Sequence, residues 1–181
     1  MSAIVPSAVD LSRVWTFRLG TCPSVKELLA SMSVNKMILT HRAQLLLRQG
    51  VPLYLIKKTG TFRLMQVKER GFPDGATYLE FCTQVILDGY ELCPPEITFP
   101  FRRSFKNQPR NHTVRIAMDP LHGAILVKGI QNRAAFILVV GNGNYDDDEK
   151  AGKPWIDAED SQPDDHYGPE DTFLVMEKGA L

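Results

Sequence analysis

The sequence predicts an α+β fold: one long helical stretch packed on a mostly antiparallel β-sheet, with a long acidic loop before the last strand. Three observations predict it. Helical periodicity is confined to residues 24–49, ahead of Gly50. Beyond residue 51 the apolar runs are short, rich in β-branched and aromatic residues, and punctuated by Gly and Pro. An acidic, Gly/Pro-rich segment, residues 141–171, then separates these runs from a last apolar one, Thr172 to Met176.

The elements follow in order. Residues 1–12 carry few structural signals and read as a flexible arm, with residues 13–181 as a single domain. Val14 to Leu19 has the apolar and aromatic content of a strand. Ser24, with Glu27 three residues on, forms a capping box that opens the clearest helix. Leu28, Leu29, Met32 and Met37 continue at helical spacing, with a break near Ser33–Asn35 before Leu45, Leu46 and Leu47, so the stretch is one helix or two. Val51 to Lys58 reads as a strand, Lys57 to Thr61 as a turn, and Phe62 to Val67 as the next strand. Gly71 to Gly75 reads as a loop and Ala76 to Leu87 as a longer strand-like run. Pro94-Pro95 forces an extended entry to Ile97–Phe101. His112 to Met118, the turn Asp119 to Gly123, and Ala124 to Lys128 read as a hairpin, and Arg133 to Val140 as another strand.

A chain of 181 residues with 44% apolar content is long enough for one domain with a real core. Its start lacks the basic and apolar regions of a signal peptide, and the run Ala134 to Val140 is far too short to span a bilayer. Any membrane contact is therefore expected to be peripheral. Cys22, Cys82 and Cys93 are odd in number and lack CxxC spacing, which points to reduced thiols in a cytosolic setting.

The net charge is zero, but the charges are sorted. Residues 1–140 hold 18 of the 21 Lys and Arg and 9 of the 21 Asp and Glu, so this part carries about +9; the remainder carries about −9. A basic body with a separable acidic segment suits a protein that meets polyanions. Two basic groups stand out. Lys57, Lys58, Arg63, Lys68 and Arg70 form one; Arg102, Arg103, Lys106 and Arg110, followed by Arg115 and interleaved with Phe99, Phe101 and Phe105, form the other. These are the expected lipid- or nucleocapsid-binding residues, since phosphates attract such clusters regardless of sequence. The opposing view makes Phe101 and Phe105 core and the arginines ordinary strand-edge solubilisers.

Motifs for catalysis or cofactors are missing. Asp146-Asp147-Asp148-Glu149 lacks the alternation, central Gly and closing Glu of an EF-hand, and Gly141-Asn142-Gly143 completes no phosphate-binding fingerprint. His41, His112, His122 and His166 are scattered, with no HExxH, and no GxSxG elbow occurs. The expectation is a non-enzymatic protein with no cofactor and no metal.

Cys93-Pro94-Pro95-Glu96-Ile97-Thr98-Phe99-Pro100-Phe101-Arg102-Arg103-Ser104-Phe105, followed by Thr113 to Met118, resembles the middle of rhabdovirus matrix proteins, especially the vesiculovirus kind. There a Pro-Pro, a short apolar stretch, an Arg-Arg followed by Phe, and a Thr-Val-led strand occur in similar order. Val14–Leu19, Val25–Ser33, the Pro-aromatic strand Pro52 to Leu55, and Phe173 to Lys178 fit the same order. The resemblance implies a structural protein that self-associates, coats the anionic inner face of the envelope or plasma membrane, and condenses the viral ribonucleoprotein during assembly and budding. It further implies residence in the virion, the host cytoplasm, the inner membrane face or the nucleus, and contact with host proteins. The self-association segment implied here is Ile4-Val5-Pro6. Two departures from the family are visible. No Lys-rich arm with late-domain motifs leads the chain, since Pro6-Ser7-Ala8-Val9 has Val where a PSAP motif has Pro and no PPxY occurs. The long acidic loop is also unlike the family. A nucleic-acid-binding regulator without a membrane role is the alternative.

Overall fold

The computed structural model describes residues 9–21, 24–34, 37–49, 57–127, 130–143 and 153–179. Within them the fold is not one long helix on an antiparallel sheet. It is a mixed nine-stranded sheet with four short helices. Along the main path the strands run β1 (Val14–Leu19), β3 (Lys58–Gln66), β11 (Thr172–Glu177), β6 (Thr113–Ile116), β8 (Ile130–Asn142), β9 (Pro154–Asp160) and β2 (Ile38–Leu39). β5 (Tyr90–Glu91) joins β11 and β7 (Leu121–Val127) joins β8, while β4 (Ala76–Thr77) and β10 (His166–Tyr167) form a separate ribbon.

The sheet is mixed because the last strand is not an edge. Residues 172–176 insert between β3, antiparallel, and β6, parallel. Thr172 to Met176 are all buried, and alternate side chains of a strand point to opposite faces, so β11 is covered on both. A continuous apolar run such as TFLVM is what a central strand needs. β2 is also parallel to its neighbour, β9.

The helical stretch breaks in two. α1 (Val25–Val34) starts where Glu27 N–H donates to Ser24 Oγ at 3.2 Å. α2 (His41–Arg48) starts afresh behind β2, with the Thr40 hydroxyl accepting from Ala43 N–H. Ala43, Leu46 and Leu47 are its buried face, which packs on β7 and β9.

Residues 76–87 are not one long strand: only Ala76–Thr77 are extended, as β4. α3 (Tyr78–Leu87) begins at a full capping box between Thr77 and Glu80 and buries Tyr78, Phe81, Cys82 and Val85. That spacing is helical, and the capping box outweighs the β-branched and aromatic composition. Its face meets β11 where the Phe81 and Phe173 rings lie 4.4 Å apart.

The expected turn at Lys57 to Thr61 is strand from Lys58 on, paired with β1 from Leu19 to Val14. Gly60 marks close packing rather than a turn: a Cβ there would stand 2.9 Å from the Phe62 ring. Nor do β6 and β7 form a hairpin with each other. Both pair with the 13-residue β8, β7 along its first half and β6 near its end.

The acidic segment is not one loop, since it contains β9 and β10. Trp155, Ile156 and Ala158 are buried, and β9 pairs with β8 from Asn142↔Pro154 to Phe136↔Asp160. Interspersed Asp and Glu concealed a strand whose buried positions are apolar. At the other end of the chain, Val9 and Leu11 pack against the core.

Candidate anion-binding site

The second basic group organises a site around α4 (Thr98–Ser104). Pro94 is extended, Pro95–Ile97 form a tight turn, and the Thr98 hydroxyl donates to Pro95 O at 2.8 Å. Pro100 sits in the first turn, where its missing N–H has no intrahelical partner to lose. Phe101 and Phe105 are core, with ring centroids 5.2 and 5.5 Å from Trp15 in edge-to-face contact. On this point the opposing view of the two phenylalanines holds.

Arg102 lies three residues after Phe99 and turns inward with it, whereas Arg103 stays exposed. Only 3% of Arg102 is accessible. Its Nη1 donates to Gln108 Oε1 and, at 3.1 Å, to Gly141 O; its Nη2 donates to Phe105 O at 2.5 Å. No carboxylate is among these acceptors, and Nε has no hydrogen-bond partner. Burial lowers the Arg102 pKa to about 10, so it remains a cation at neutral pH.

The acceptors are held firmly. Gln108 Nε2 donates to His112 O (2.7 Å) and Val140 O (3.2 Å), and Asn142 Nδ2 donates to Gln108 O at 2.8 Å. Gly141 permits the arrangement, because a Cβ there would overlap the Trp155 ring across the β8–β9 ladder.

A cavity of about 250 Å³ opens against this arginine, lined by Met37, Arg102, Arg103, Lys106, Asn142 and Pro154. Among the described residues the lining carries three cations and no carboxylate. Sheet register assembles it: Asn142 pairs with Pro154, and the parallel Ile38↔Trp155 pairing puts Met37 next to Pro154. Met37, Asn142 and Pro154 had no local signal in the sequence, because only strand pairing brings them to α4.

The other predicted cations are placed differently. Lys58 lies 4.0 Å from Glu91, Arg63 3.9 Å from Glu177, Lys68 2.7 Å from Glu170 and Arg70 3.1 Å from Asp88. Arg63 also donates to Tyr90 Oη at 3.2 Å, and Arg70 stacks 5.8 Å over the Tyr90 ring. The first basic group is therefore neutralised, apart from exposed Lys57. Arg110 occupies the turn before β6, off the cavity lining. Ile4, Val5 and Pro6 lie outside the described residues, as does Pro52 to Leu55.

The acidic segment supplies much of this neutralisation. Arg42 pairs with Asp160, and Arg115 holds Glu159 and Asp171 at 2.9 Å each while stacking 4.9 Å over Tyr167. The charge split visible along the chain is thus partly closed within the fold. Arg103 and Lys106, by contrast, make no ion pair among the described residues.

Among the described residues, no three His, Cys, Asp or Glu side chains converge as a metal site requires, and no helix is long and apolar enough to cross a membrane. No protein-family model matches the chain, and neither a curated protein nor a solved structure shows significant similarity to it.

Proposed function

We propose that this chain is a non-enzymatic, matrix-type structural protein that engages phosphate-bearing polyanions through the cavity at the end of α4. In this role it self-associates, lies against the anionic inner face of a membrane, and condenses a viral ribonucleoprotein. The observation that carries the proposal is the cavity's unbalanced charge. A fold that pairs Arg42, Arg63, Lys68, Arg70 and Arg115 with carboxylates leaves Arg102, Arg103 and Lys106 around one opening with no carboxylate partner among the described residues. Burying a cation without a counter-charge is unfavourable unless its hydrogen bonds are met or an anion arrives from outside. The Pro-Pro to Arg-Arg segment that resembles the matrix family contributes Arg102 and Arg103 to this opening.

The test is flotation with anionic vesicles together with RNA binding, each across a salt series. Both interactions should be present at low salt and weaken steeply by ~0.15 M. RNA binding without flotation would turn the role to that of a nucleic-acid regulator. Salt-independent binding, or none, would remove the proposal.

A further inference from the structure

We infer that the α4 cavity is a site for a phosphomonoester, the doubly charged end group of a phosphorylated small molecule or lipid headgroup. The inference rests on the polyanion-binding reading above and names the chemistry within it.

Charge comes first. Three cations face one opening, and no described lining residue is acidic. A phosphomonoester carries about −1.5 to −2 at pH 7, whereas a backbone diester carries one charge, so the monoester balances the site better. The donors divide the work. Arg102 commits three of its five N–H donors to Gln108, Gly141 and Phe105, so it contributes chiefly fixed charge at the back wall. Arg103 and Lys106 are exposed and make no ion pair among the described residues, so they supply the contacts: a planar fork and a mobile ammonium.

Size and lining narrow the ligand further. At about 250 Å³ the cavity falls below the ~300–1,000 Å³ of pockets that enclose drug-sized ligands. It therefore suits one phosphorylated group better than a whole nucleotide. Met37 and Pro154 give it an apolar flank, which favours an ester carrying carbon over free inorganic phosphate.

The full chain is titrated calorimetrically with glycerol 3-phosphate and with dimethyl phosphate. It is then floated with phosphatidylcholine vesicles containing equal fractions of phosphatidic acid or phosphatidylglycerol. The monoester should bind about tenfold tighter than the diester, and the preference should vanish below the phosphate's second pKa of about 6. The double variant Arg103→Ala/Lys106→Ala should weaken monoester binding about 30-fold. Its unchanged thermal midpoint would show that the fold is intact. Retention on phosphatidic acid over phosphatidylglycerol, lost in the double variant, supports the site with a lipid as source. Preference for glycerol 3-phosphate alone supports it with a soluble source. Equal affinity for monoester and diester, with RNA and vesicle binding retained, overturns this inference only. Failure of every phosphate, vesicle and RNA probe overturns the proposed function as well.

Discussion

Arg102→Met should destabilise the protein despite removing a buried charge. Three acceptors, Gln108 Oε1, Gly141 O and Phe105 O, lose a charged donor. Hydrogen bonds from a charged group contribute ~1.5–3 kcal/mol each. Against this, burying the guanidinium lowers its pKa to about 10, equivalent to a desolvation cost of ~3 kcal/mol that the substitution relieves. The difference leaves a net loss of about 1.5–6 kcal/mol, since methionine fills the volume but satisfies none of the acceptors. Equilibrium urea unfolding reads this as a lower midpoint with an unchanged slope. Arg102→Lys keeps the charge but cannot match a planar fork to three acceptors, and it should recover little. If Arg102→Met were as stable as the parent, or more so, as when a well-packed apolar side chain replaces a buried ion, the three-acceptor account would fail.

Gly141→Ala should displace Trp155 and lower stability by several kcal/mol, seen as a shifted Trp emission and a lower unfolding midpoint. His112 has its pKa lowered by burial and by nearby Arg115, so the folded state keeps it neutral. Below about 6.5 the unfolded chain binds a proton that the folded chain refuses, and stability falls with falling pH. His112→Gln should flatten that acid limb in urea unfolding, and an unchanged limb would contradict the assignment. Cys82, pushed up to about 12, and Cys93, raised well above the usual thiol value, are both buried. They should resist a thiol reagent near pH 8 until denaturant is added. Arg115→Ala leaves Glu159 and Asp171 without their shared cation and should cost about 2–4 kcal/mol, with the double variant Arg115→Ala/Asp171→Asn recovering part of the loss.

What the sequence made legible was local. The Ser24 cap, strand Val14–Leu19 and the apolar run Thr172 to Met176 could be seen because each is written in consecutive residues. Position in the sheet could not be seen: TFLVM reads the same at an edge or at the centre, and only pairing with β3 and β6 decides. Composition misled at residues 76–87, where the capping box at Thr77 and Glu80 outweighed strand-forming residues. It misled again at residues 154–160, where acidic residues hid a buried strand. For the site, Arg102, Arg103 and Lys106 were legible as a basic run, but Arg102 is interior rather than surface. Charge sorting suggested a polyanion partner for the whole basic body. Folding pairs four of its cations, Arg42, Arg63, Lys68 and Arg115, with Asp160, Glu177, Glu170, Glu159 and Asp171. Ion pairing between distant segments leaves no trace in sequence order.

Two double variants that remove the same charge decide whether the α4 cavity, rather than basic character in general, carries the anionic partner. Arg103→Ala/Lys106→Ala strips the cavity; Lys68→Ala/Arg70→Ala strips cations already paired with Glu170 and Asp88. RNA and anionic-vesicle affinities are measured for both at one low salt concentration. The cavity variant should lose about 30-fold and the paired-cation variant less than about threefold. Equal losses in the two, or no loss in the cavity variant, would contradict the assignment of binding to this site.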